Sequence, residues 1–220
     1  MYSAAIFDMD GVIVDNHHVH VDVWSRFCNS MGVDLDESEF RSRFFGKSNR
    51  DIMSALLGRP LSLEESNEMG NRKEALYRET YLPHIKPVEG LVPFLTWLKN
   101  QGITTAVATS APPENMHFVL DELNLSQYFD ILTDASGVAN AKPDPEIYIK
   151  SANQLGMSVS DCLVFEDSVS GIQSATAACM TVVALLTTHQ RSELPPAKKY
   201  VNDFTDNSLR ELFVQKLKVD

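Results

Sequence analysis

The chain has 220 residues, 44% of them hydrophobic and 22% charged, with a formal net charge of −11 and a pI of about 4.9. This length fits one large domain or one domain that carries a smaller insert, and the composition is ample for a buried core. A surface this acidic repels nucleic acid and anionic membranes, so we expect neither as a partner. An anionic small molecule would need a few well-placed cations to bind.

Cysteine usage and the N-terminus predict a cytoplasmic protein. Cys28, Cys162 and Cys179 lie far apart without a C-x-x-C pair, so we expect three reduced, buried thiols. The first apolar run, residues 3–7, is too short for a signal peptide or a membrane span. We also expect a monomer.

Short apolar runs alternate with helix-period segments along most of the chain. The predicted strands are 3–7, 104–108, 131–133, 162–166 and 181–186. Between the first two, Leu91, Phe94, Leu95 and Leu98 follow the i, i+3, i+4, i+7 spacing of a helix, and similar spacing recurs after 104–108 and after 131–133. This alternation predicts an α/β fold with a parallel sheet covered by helices on both faces.

The segment from 16 to 86 interrupts the alternation, because it contains no convincing strand. It predicts four helices, at about 16–31, 36–45, 48–57 and 62–81, separated by glycines and by the Gly58-Arg59-Pro60 turn. We therefore predict an inserted all-α cap domain at 16–86 and a core domain formed by 1–15 and 87–220.

The first chemical motif follows the first predicted strand and reads Phe7-Asp8-Met9-Asp10-Gly11. A bare pair of carboxylates at i and i+2 usually caps a turn, but here it lies between a strand and a turn-permitting glycine. A carboxylate such as Asp8 can attack phosphorus to form an aspartyl phosphate. Asp10 can then protonate the leaving oxygen and later deprotonate water.

Three further motifs each lie just beyond the carboxyl end of a predicted strand. Thr109 and Ser110, with their backbone N–H groups, suit the oxygens of a phosphoryl group. Lys142, in Lys142-Pro143-Asp144-Pro145, can neutralise that group, whereas Asp144 is assigned to the N-cap of the next helix.

The last motif, Phe165-Glu166-Asp167-Ser168, places two acids at the end of a hydrophobic strand. Buried acids are costly unless they bind a positive group, and Mg²⁺ prefers oxygen ligands. We expect Asp8, the Asp10 carbonyl and Asp167 to hold Mg²⁺, with Glu166 close by, and Ser168 to cap the following helix. The carboxyl ends of parallel strands share one edge, so all four motifs should converge there.

In these motifs the chain resembles the haloacid dehalogenase superfamily, and within it the β-phosphoglucomutase-like phosphatases and mutases. The resemblance covers nearly the whole chain. It implies a Rossmann-like core, Asp8 as nucleophile, Asp10 as general acid/base, and Thr109 and Lys142 on the phosphoryl group. It also implies Mg²⁺ bound by Asp8, Asp10 and Asp167, with Glu166 near or in the coordination shell. The metal-free dehalogenases of the superfamily lack the second aspartate and the paired acids.

The same resemblance suggests substrate-contacting residues in the cap. These are Asn16, His20, Lys47, Asn49, Arg50 and Lys73. His20 matches a histidine typical of the mutases, and Lys73 matches a cap lysine. The mutases carry an arginine, for a distal phosphate, at the position of Asn49, whereas here Arg50 lies one place further on. They also carry a lysine-containing stretch after the second motif, where this chain has Ala111-Pro112-Pro113.

These departures favour hydrolysis over mutase activity, because a mutase must hold a bisphosphate by both ends. We therefore predict a Mg²⁺-dependent phosphatase that acts on a small phosphorylated metabolite, a sugar or polyol phosphate. The alternatives are a β-phosphoglucomutase, a pyrophosphatase or nucleotide phosphatase, and a non-catalytic binding module that keeps the fold.

Overall fold

The computed structural model describes residues 1–33, 35 and 49–213. The chain divides into two compact units, Met1–Asp15 with Ile85–Asp220 and Asn16–His84. We call them the sheet unit and the helical unit. Residues 85 and 86, which the sequence analysis assigned to the insert, belong to the sheet unit.

The helical unit contains three α-helices among its described residues. They are α1 (His17–Ser30), α2 (Asn49–Leu57) and α3 (Leu63–Tyr81). The predicted helix at 36–45 lies outside the described residues. Helix α3 begins one residue after its predicted start, because Ser62 is its N-cap and forms a capping box with Glu65. The apolar faces pack into one small core, which includes Trp24 and Met53.

The sheet unit is built on a six-stranded parallel sheet. Its strands are β1 (Ala4–Phe7), β2 (Thr104–Ala108), β3 (Ile131–Thr133), β4 (Cys162–Glu166), β5 (Thr181–Leu185) and β6 (Lys199–Val201). Their order across the sheet is β3-β2-β1-β4-β5-β6, and all five pairings are parallel. The predicted α/β fold with a parallel sheet is confirmed, but β6 was not predicted.

Helices cover both faces of this sheet. They are α4 (Leu91–Asn100), α5 (Pro113–Glu122), α6 (Glu146–Leu155) and α7 (Val169–Ala177). Side chains alternate between the faces of a strand. Ile6 and Val164 therefore pack with Tyr148 of α6 on one face, whereas Phe7 stacks on Phe165 on the other, with ring centroids 4.7 Å apart.

The structure tests two further expectations, one about the burial of the cysteines and one about membrane-spanning helices. Cys28 and Cys162 are buried as expected, but Cys179 is exposed, because it lies in the turn after α7 with φ +60°. Across residues 1–33, 35 and 49–213, no helix combines the length and the apolar character needed to cross a membrane.

Candidate active site

The sheet register brings the motifs to one edge of the sheet. Phe7, the last residue of β1, lies opposite Val107 in β2 and Phe165 in β4. The ladder continues one step further, since the Asp8 N–H donates to the Phe165 carbonyl at 3.0 Å. Side chains that follow these strands therefore leave the sheet next to one another, as the sequence analysis predicted.

The loop after β1 carries the two aspartates through a tight turn. Asp8 is buried and Asp10 is half-buried. Gly11 has φ +80°, and its N–H donates to the Val14 carbonyl at 2.7 Å. A Cβ added at Gly11 would overlap with the Asp167 carboxylate. The glycine is needed both for the left-handed backbone and for the close approach of the first and fourth motifs.

Lys142 links the nucleophile candidate to the fourth motif. Its Nζ donates to Asp8 Oδ1 at 2.6 Å, to Glu166 Oε1 at 2.8 Å and to the Ala108 carbonyl at 3.1 Å. The ammonium also lies 4.8 Å from the centre of the Tyr148 ring, within cation–π range. Only 6% of this side chain is exposed. The lysine is thus a buried cation of the site, not a solvated surface residue.

Glu166 is surrounded by donors from the protein itself. Its Oε1 accepts from Lys142 and from the Tyr148 hydroxyl at 2.9 Å. Its Oε2 accepts from the N–H groups of Asp167 and Ser168, both at 2.9 Å, and from the Ser168 hydroxyl at 3.0 Å. This carboxylate is therefore already well satisfied as an anion that holds Lys142 in place.

The ionisation of the cluster reflects burial among like charges. Burial, together with the charges of Glu166 and Asp10, raises the pKa of Asp8 to about 7 against the opposing effect of Lys142. Burial and the neighbouring acids also raise the pKa of Asp167 well above its ordinary value. Burial alone would raise the pKa of Glu166, but Lys142 and the hydrogen bonds outweigh it and lower that pKa.

The raised pKa of Asp8 predicts how the stability of the metal-free protein depends on pH. Between the ordinary pKa of 3.8 and about 7, the folded chain keeps a proton that the unfolded chain releases. The free energy of unfolding therefore loses this contribution as the pH rises through that interval. We expect Asp8→Asn, which cannot titrate, to gain stability relative to wild type over the same interval. Urea denaturation in EDTA measures this, and a pH-independent difference would contradict it.

Gly171, in the first turn of α7, makes room for the Glu166 carboxylate. A Cβ there would overlap with Glu166 Oε1 and the carboxyl carbon. Elsewhere in a helix, alanine in place of glycine stabilises by about 0.5–1 kcal/mol. At Gly171 we expect the opposite sign, a loss of about 1–3 kcal/mol as in an overpacked core.

Thermal unfolding and activity of Gly171→Ala test this expectation. Activity should also fall, because a displaced Glu166 no longer holds Lys142. Gln173→Ala, at an exposed position of the same helix, is the matched control and should behave like wild type. Unchanged stability and activity of Gly171→Ala would show that the carboxylate does not need this space.

The two residues of the second motif differ in burial. Thr109 is buried, and its hydroxyl oxygen accepts from the Ala111 N–H at 3.0 Å, whereas Ser110 is exposed.

Ser168 caps α7 as predicted, since its hydroxyl oxygen accepts from the Gly171 N–H. The N-cap assignment for Asp144 was off by one residue. Pro145 occupies the cap position of α6, although the Asp144 carboxylate still accepts from the Glu146 N–H.

The donor set fits a divalent cation. One carboxylate oxygen each from Asp8, Glu166 and Asp167 lies within 4.8 Å of the others. Three buried carboxylates against the single charge of Lys142 leave an excess of two negative charges when all are ionised. A dication of the Mg²⁺ type, which prefers carboxylate oxygens, matches this charge and these ligands.

Four of the six predicted cap residues meet in one polar cluster of the helical unit. Lys73 is 2% exposed; its Nζ lies 3.0 Å from Glu74 Oε1 and 3.4 Å from His20 Nδ1. Glu74 Oε1 also accepts from Asn49 at 2.6 Å, and Asn16 donates to Tyr77 at 2.6 Å and lies 3.4 Å from His20 Nε2.

Arg50, another of the predicted cap residues, contacts a different part of the helical unit. Arg50 is exposed, and its guanidinium donates to the Leu61 carbonyl at 3.2 Å. Lys47 lies outside the described residues.

Several residues of the site were not predicted from the sequence. Tyr148 and Gly171 contact Glu166, and two residues after β5, Thr187 and His189, contact the first and fourth motifs. A glycine three places after the Ser168 cap, in the first turn of a helix beside buried acids, is the one signal that could have been used.

The sequence as a whole matches a known family. The sequence model described as haloacid dehalogenase-like hydrolase covers residues 2–178, which include all four motifs. The chain belongs to the haloacid dehalogenase-like hydrolases.

Relatives and solved structures define its place in this family more closely. The chain is 30% identical over 206 residues to validoxylamine A 7′-phosphate phosphatase of Streptomyces hygroscopicus subsp. limoneus, covering 94% of this chain and 96% of that protein. It is 33% identical over 178 residues to phosphorylated carbohydrates phosphatase of Thermotoga maritima, covering 80% and 81%. A crystal structure of β-phosphoglucomutase from Clostridium difficile superposes with a TM-score of 0.84 at 27% identity, covering 97% and 96%. The predicted β-phosphoglucomutase-like branch is confirmed.

Proposed function

We propose that this haloacid dehalogenase-like hydrolase is a Mg²⁺-dependent phosphatase of small phosphorylated metabolites, with sugar or polyol phosphates as substrates. The observation that carries the proposal is the cluster of Asp8, Lys142, Glu166 and Asp167 at the carboxyl edge of the sheet. The relatives named as phosphatases of phosphorylated sugar-like compounds support the substrate class.

Asp8 is the proposed nucleophile. A carboxylate oxygen of Asp8 forms a bond to phosphorus while the bond from phosphorus to the leaving oxygen breaks. Asp10 supplies the proton that the leaving alkoxide needs, so that the products of this step are the alcohol and a phosphoaspartate. Water then attacks the phosphorus and gives its proton to Asp10, which releases inorganic phosphate and restores the Asp8 carboxylate.

Lys142 and the second motif bind the phosphoryl oxygens in this proposal. The ammonium of Lys142 already lies 2.6 Å from the attacking carboxylate, so it is adjacent to the position where negative charge collects. Thr109 contributes its hydroxyl, since its backbone N–H already donates to the Thr133 carbonyl at 3.0 Å, and Ser110 contributes its hydroxyl and backbone N–H. Positioning and charge neutralisation of this kind supply most of the rate acceleration in phosphoryl transfer.

Asp8, the Asp10 carbonyl and Asp167 would hold Mg²⁺, and Glu166 would stay close to it through Lys142. When bound, the ion neutralises charge on the phosphoryl oxygens. Glu166 is proposed as a neighbour of the coordination shell, because its oxygens already accept five hydrogen bonds from the protein.

The polar cluster of the helical unit is proposed to take part in the choice of substrate. Burying Lys73 and Glu74 costs free energy that a purely structural pair of apolar side chains would not, which favours a role in binding. Lys73→Met should therefore change the order of preferred substrates in activity profiles. It also leaves Glu74 buried without its cation, so thermal unfolding should show a loss of about 3–5 kcal/mol.

A β-phosphoglucomutase is the second candidate, because a solved mutase shares the fold over nearly the full chain. Its reaction needs a second phosphate-binding region. In the loop after β2, however, the Ala111 N–H already donates to Thr109, and Pro112 and Pro113 lack N–H groups. The loop thus offers little to a second phosphate.

A phosphate-release screen over phosphorylated metabolites, with Mg²⁺ and with EDTA, tests the proposal. We expect Mg²⁺-dependent release from several sugar or polyol phosphates and none with the chelator. Isomerisation of β-glucose 1-phosphate without phosphate release would establish the mutase instead. Absence of release from every ester, including a generic aryl phosphate, would overturn phosphatase activity altogether.

A further inference from the structure

Tyr148 lies next to the candidate active site but belongs to none of the four motifs. It is in the first turn of α6, the helix that follows the third motif. Its side chain is fully buried and packs with Ile6 and Val164 on one face of the sheet. These two residues belong to β1 and β4, the strands that lead into the first and fourth motifs. The tyrosine is thus part of the core directly beside the point where those motifs leave the sheet.

This tyrosine contacts both members of the buried ion pair between Lys142 and Glu166. Its hydroxyl donates to Glu166 Oε1 at 2.9 Å, and Lys142 Nζ donates to the same oxygen at 2.8 Å. The centre of its ring lies 4.8 Å from Lys142 Nζ, which is within the range of a cation–π interaction. A single side chain therefore binds the acid through its hydroxyl and the cation through its ring.

The shared oxygen limits how strongly Glu166 attracts the ammonium. A carboxylate oxygen offers two lone pairs, and at Glu166 Oε1 one accepts from Tyr148 and the other from Lys142. The ammonium has three hydrogens, and the other two donate to Asp8 Oδ1 at 2.6 Å and to the Ala108 carbonyl at 3.1 Å. Without the hydroxyl, the charge on Oε1 would be compensated by the ammonium alone, which would be drawn towards Glu166 and away from Asp8.

We propose that Tyr148 is a positioning residue, which keeps the Lys142 ammonium beside Asp8 by binding Glu166 through its hydroxyl and the ammonium through its ring. This inference rests on the proposed function, since it assumes that Lys142 stabilises the charge on the transferring phosphoryl group. A displaced ammonium would stabilise the transition state less, so the loss should appear in the rate more than in substrate binding. Tyr148 itself contacts neither the substrate nor the metal in this role.

Tyr148→Phe tests the proposal, because it removes the hydroxyl and keeps the ring. The variant should fold, since Glu166 keeps its hydrogen bonds to Lys142, Asp167 and Ser168. Urea denaturation determines the folded fraction, and kcat and KM for phosphate release are then expressed per folded molecule.

Two comparisons distinguish positioning from a general effect on the core. The matched control is Tyr2→Phe, which removes a tyrosine hydroxyl that donates to the Thr181 hydroxyl at 2.8 Å, at the end of the sheet opposite the site. The second comparison is a double-mutant cycle, in which Tyr148→Phe is introduced into wild type and into Lys142→Met. The cycle measures whether the effect of the hydroxyl passes through Lys142.

We expect Tyr148→Phe to lower kcat by about tenfold, the effect of one hydrogen bond to a charged group, and to leave KM within about threefold of wild type. In the Lys142→Met background the same substitution should change kcat by less than about twofold, because the residue through which it acts is already absent. Tyr2→Phe should have wild-type kcat and KM.

Two results would overturn the positioning role and leave the phosphatase proposal intact. One is wild-type kcat in Tyr148→Phe. The other is an equal loss of kcat in both backgrounds, which would show that the tyrosine acts on the core and not through Lys142. If wild type releases no phosphate from any ester, the proposed function fails and this inference fails with it.

Discussion

Asp8→Asn is expected to reduce phosphate release by at least about 1,000-fold, because the amide cannot form a phosphoaspartate. The substitution keeps the shape of the side chain, and the amide oxygen can still accept from Lys142. It also removes one of three buried acidic groups. At pH 8 we therefore expect the metal-free variant to be at least as stable as wild type, since burial raises the pKa of Asp8 to about 7 and its ionised form is unfavourable there.

Measuring activity and stability together distinguishes a catalytic role of Asp8 from a role in folding. Phosphate release and urea denaturation, measured on the same preparation, should show lost activity with retained or increased stability. Asp161→Asn is the matched control, since Asp161 is exposed and precedes β4, at the strand end opposite the site. That variant should keep wild-type activity. Undiminished release by Asp8→Asn would eliminate Asp8 as the nucleophile.

Lys142→Met has the second large expected effect, and it acts on both stability and activity. The lysine is the buried partner of Asp8 and Glu166, at 2.6 Å and 2.8 Å. Removing one member of a buried ion pair costs about 3–5 kcal/mol, because the remaining charges stay buried without compensation. Activity should fall by about 100–1,000-fold with the loss of a donor aimed at the reacting group.

The loss of stability in Lys142→Met should depend on pH in a predictable direction. Without the ammonium, the pKa values of the buried acids rise further, so that they bind protons in the folded chain that the unfolded chain releases. The variant should therefore be closest to wild type in stability at acidic pH and furthest from it at pH 8. Guanidinium denaturation at several pH values measures this difference.

Lys99→Met is the control for the lysine substitution. Lys99 is exposed and donates to the Gln127 carbonyl at 2.9 Å, so its replacement should change stability by less than about 0.5 kcal/mol. Arginine at 142 should not restore activity, because a guanidinium is larger and its donors lie in a plane. Wild-type stability of Lys142→Met at pH 8, with activity within tenfold, would contradict the proposed charge balance.

The parts of the fold that were predictable from sequence are those with strong local patterns. β2, β3 and β4 have the predicted bounds, and β1 and β5 differ by one residue each. β1, β2, β4 and β5 are mostly apolar and almost wholly buried, and the short β3 begins with the apolar pair Ile131 and Leu132. β6 was missed because it begins with Lys199 and Tyr200, so it has no apolar run, unlike the equally short edge strand β3. It is defined by its pairing with β5.

The residues of the candidate site also divide into those that the sequence predicted and those that only the structure shows. Asp8, Lys142, Glu166 and Asp167 were predicted to converge because residues after parallel strands leave at one edge. What surrounds them depends on contacts between distant segments. From sequence, Gly171 is indistinguishable from an ordinary helix residue, and only the structure shows that Glu166 packs against it. Thr187 likewise has no signal in the sequence, although its hydroxyl donates to the Gly11 carbonyl.

The stereochemical course at phosphorus tests the phosphoaspartate mechanism most directly. A generic aryl phosphorothioate, chiral through an oxygen isotope, is hydrolysed in water labelled with a second isotope, and the configuration of the released thiophosphate is determined. Two in-line displacements, first by Asp8 and then by water, predict overall retention of configuration. Inversion would show that water attacks the substrate directly and would contradict the covalent role of Asp8.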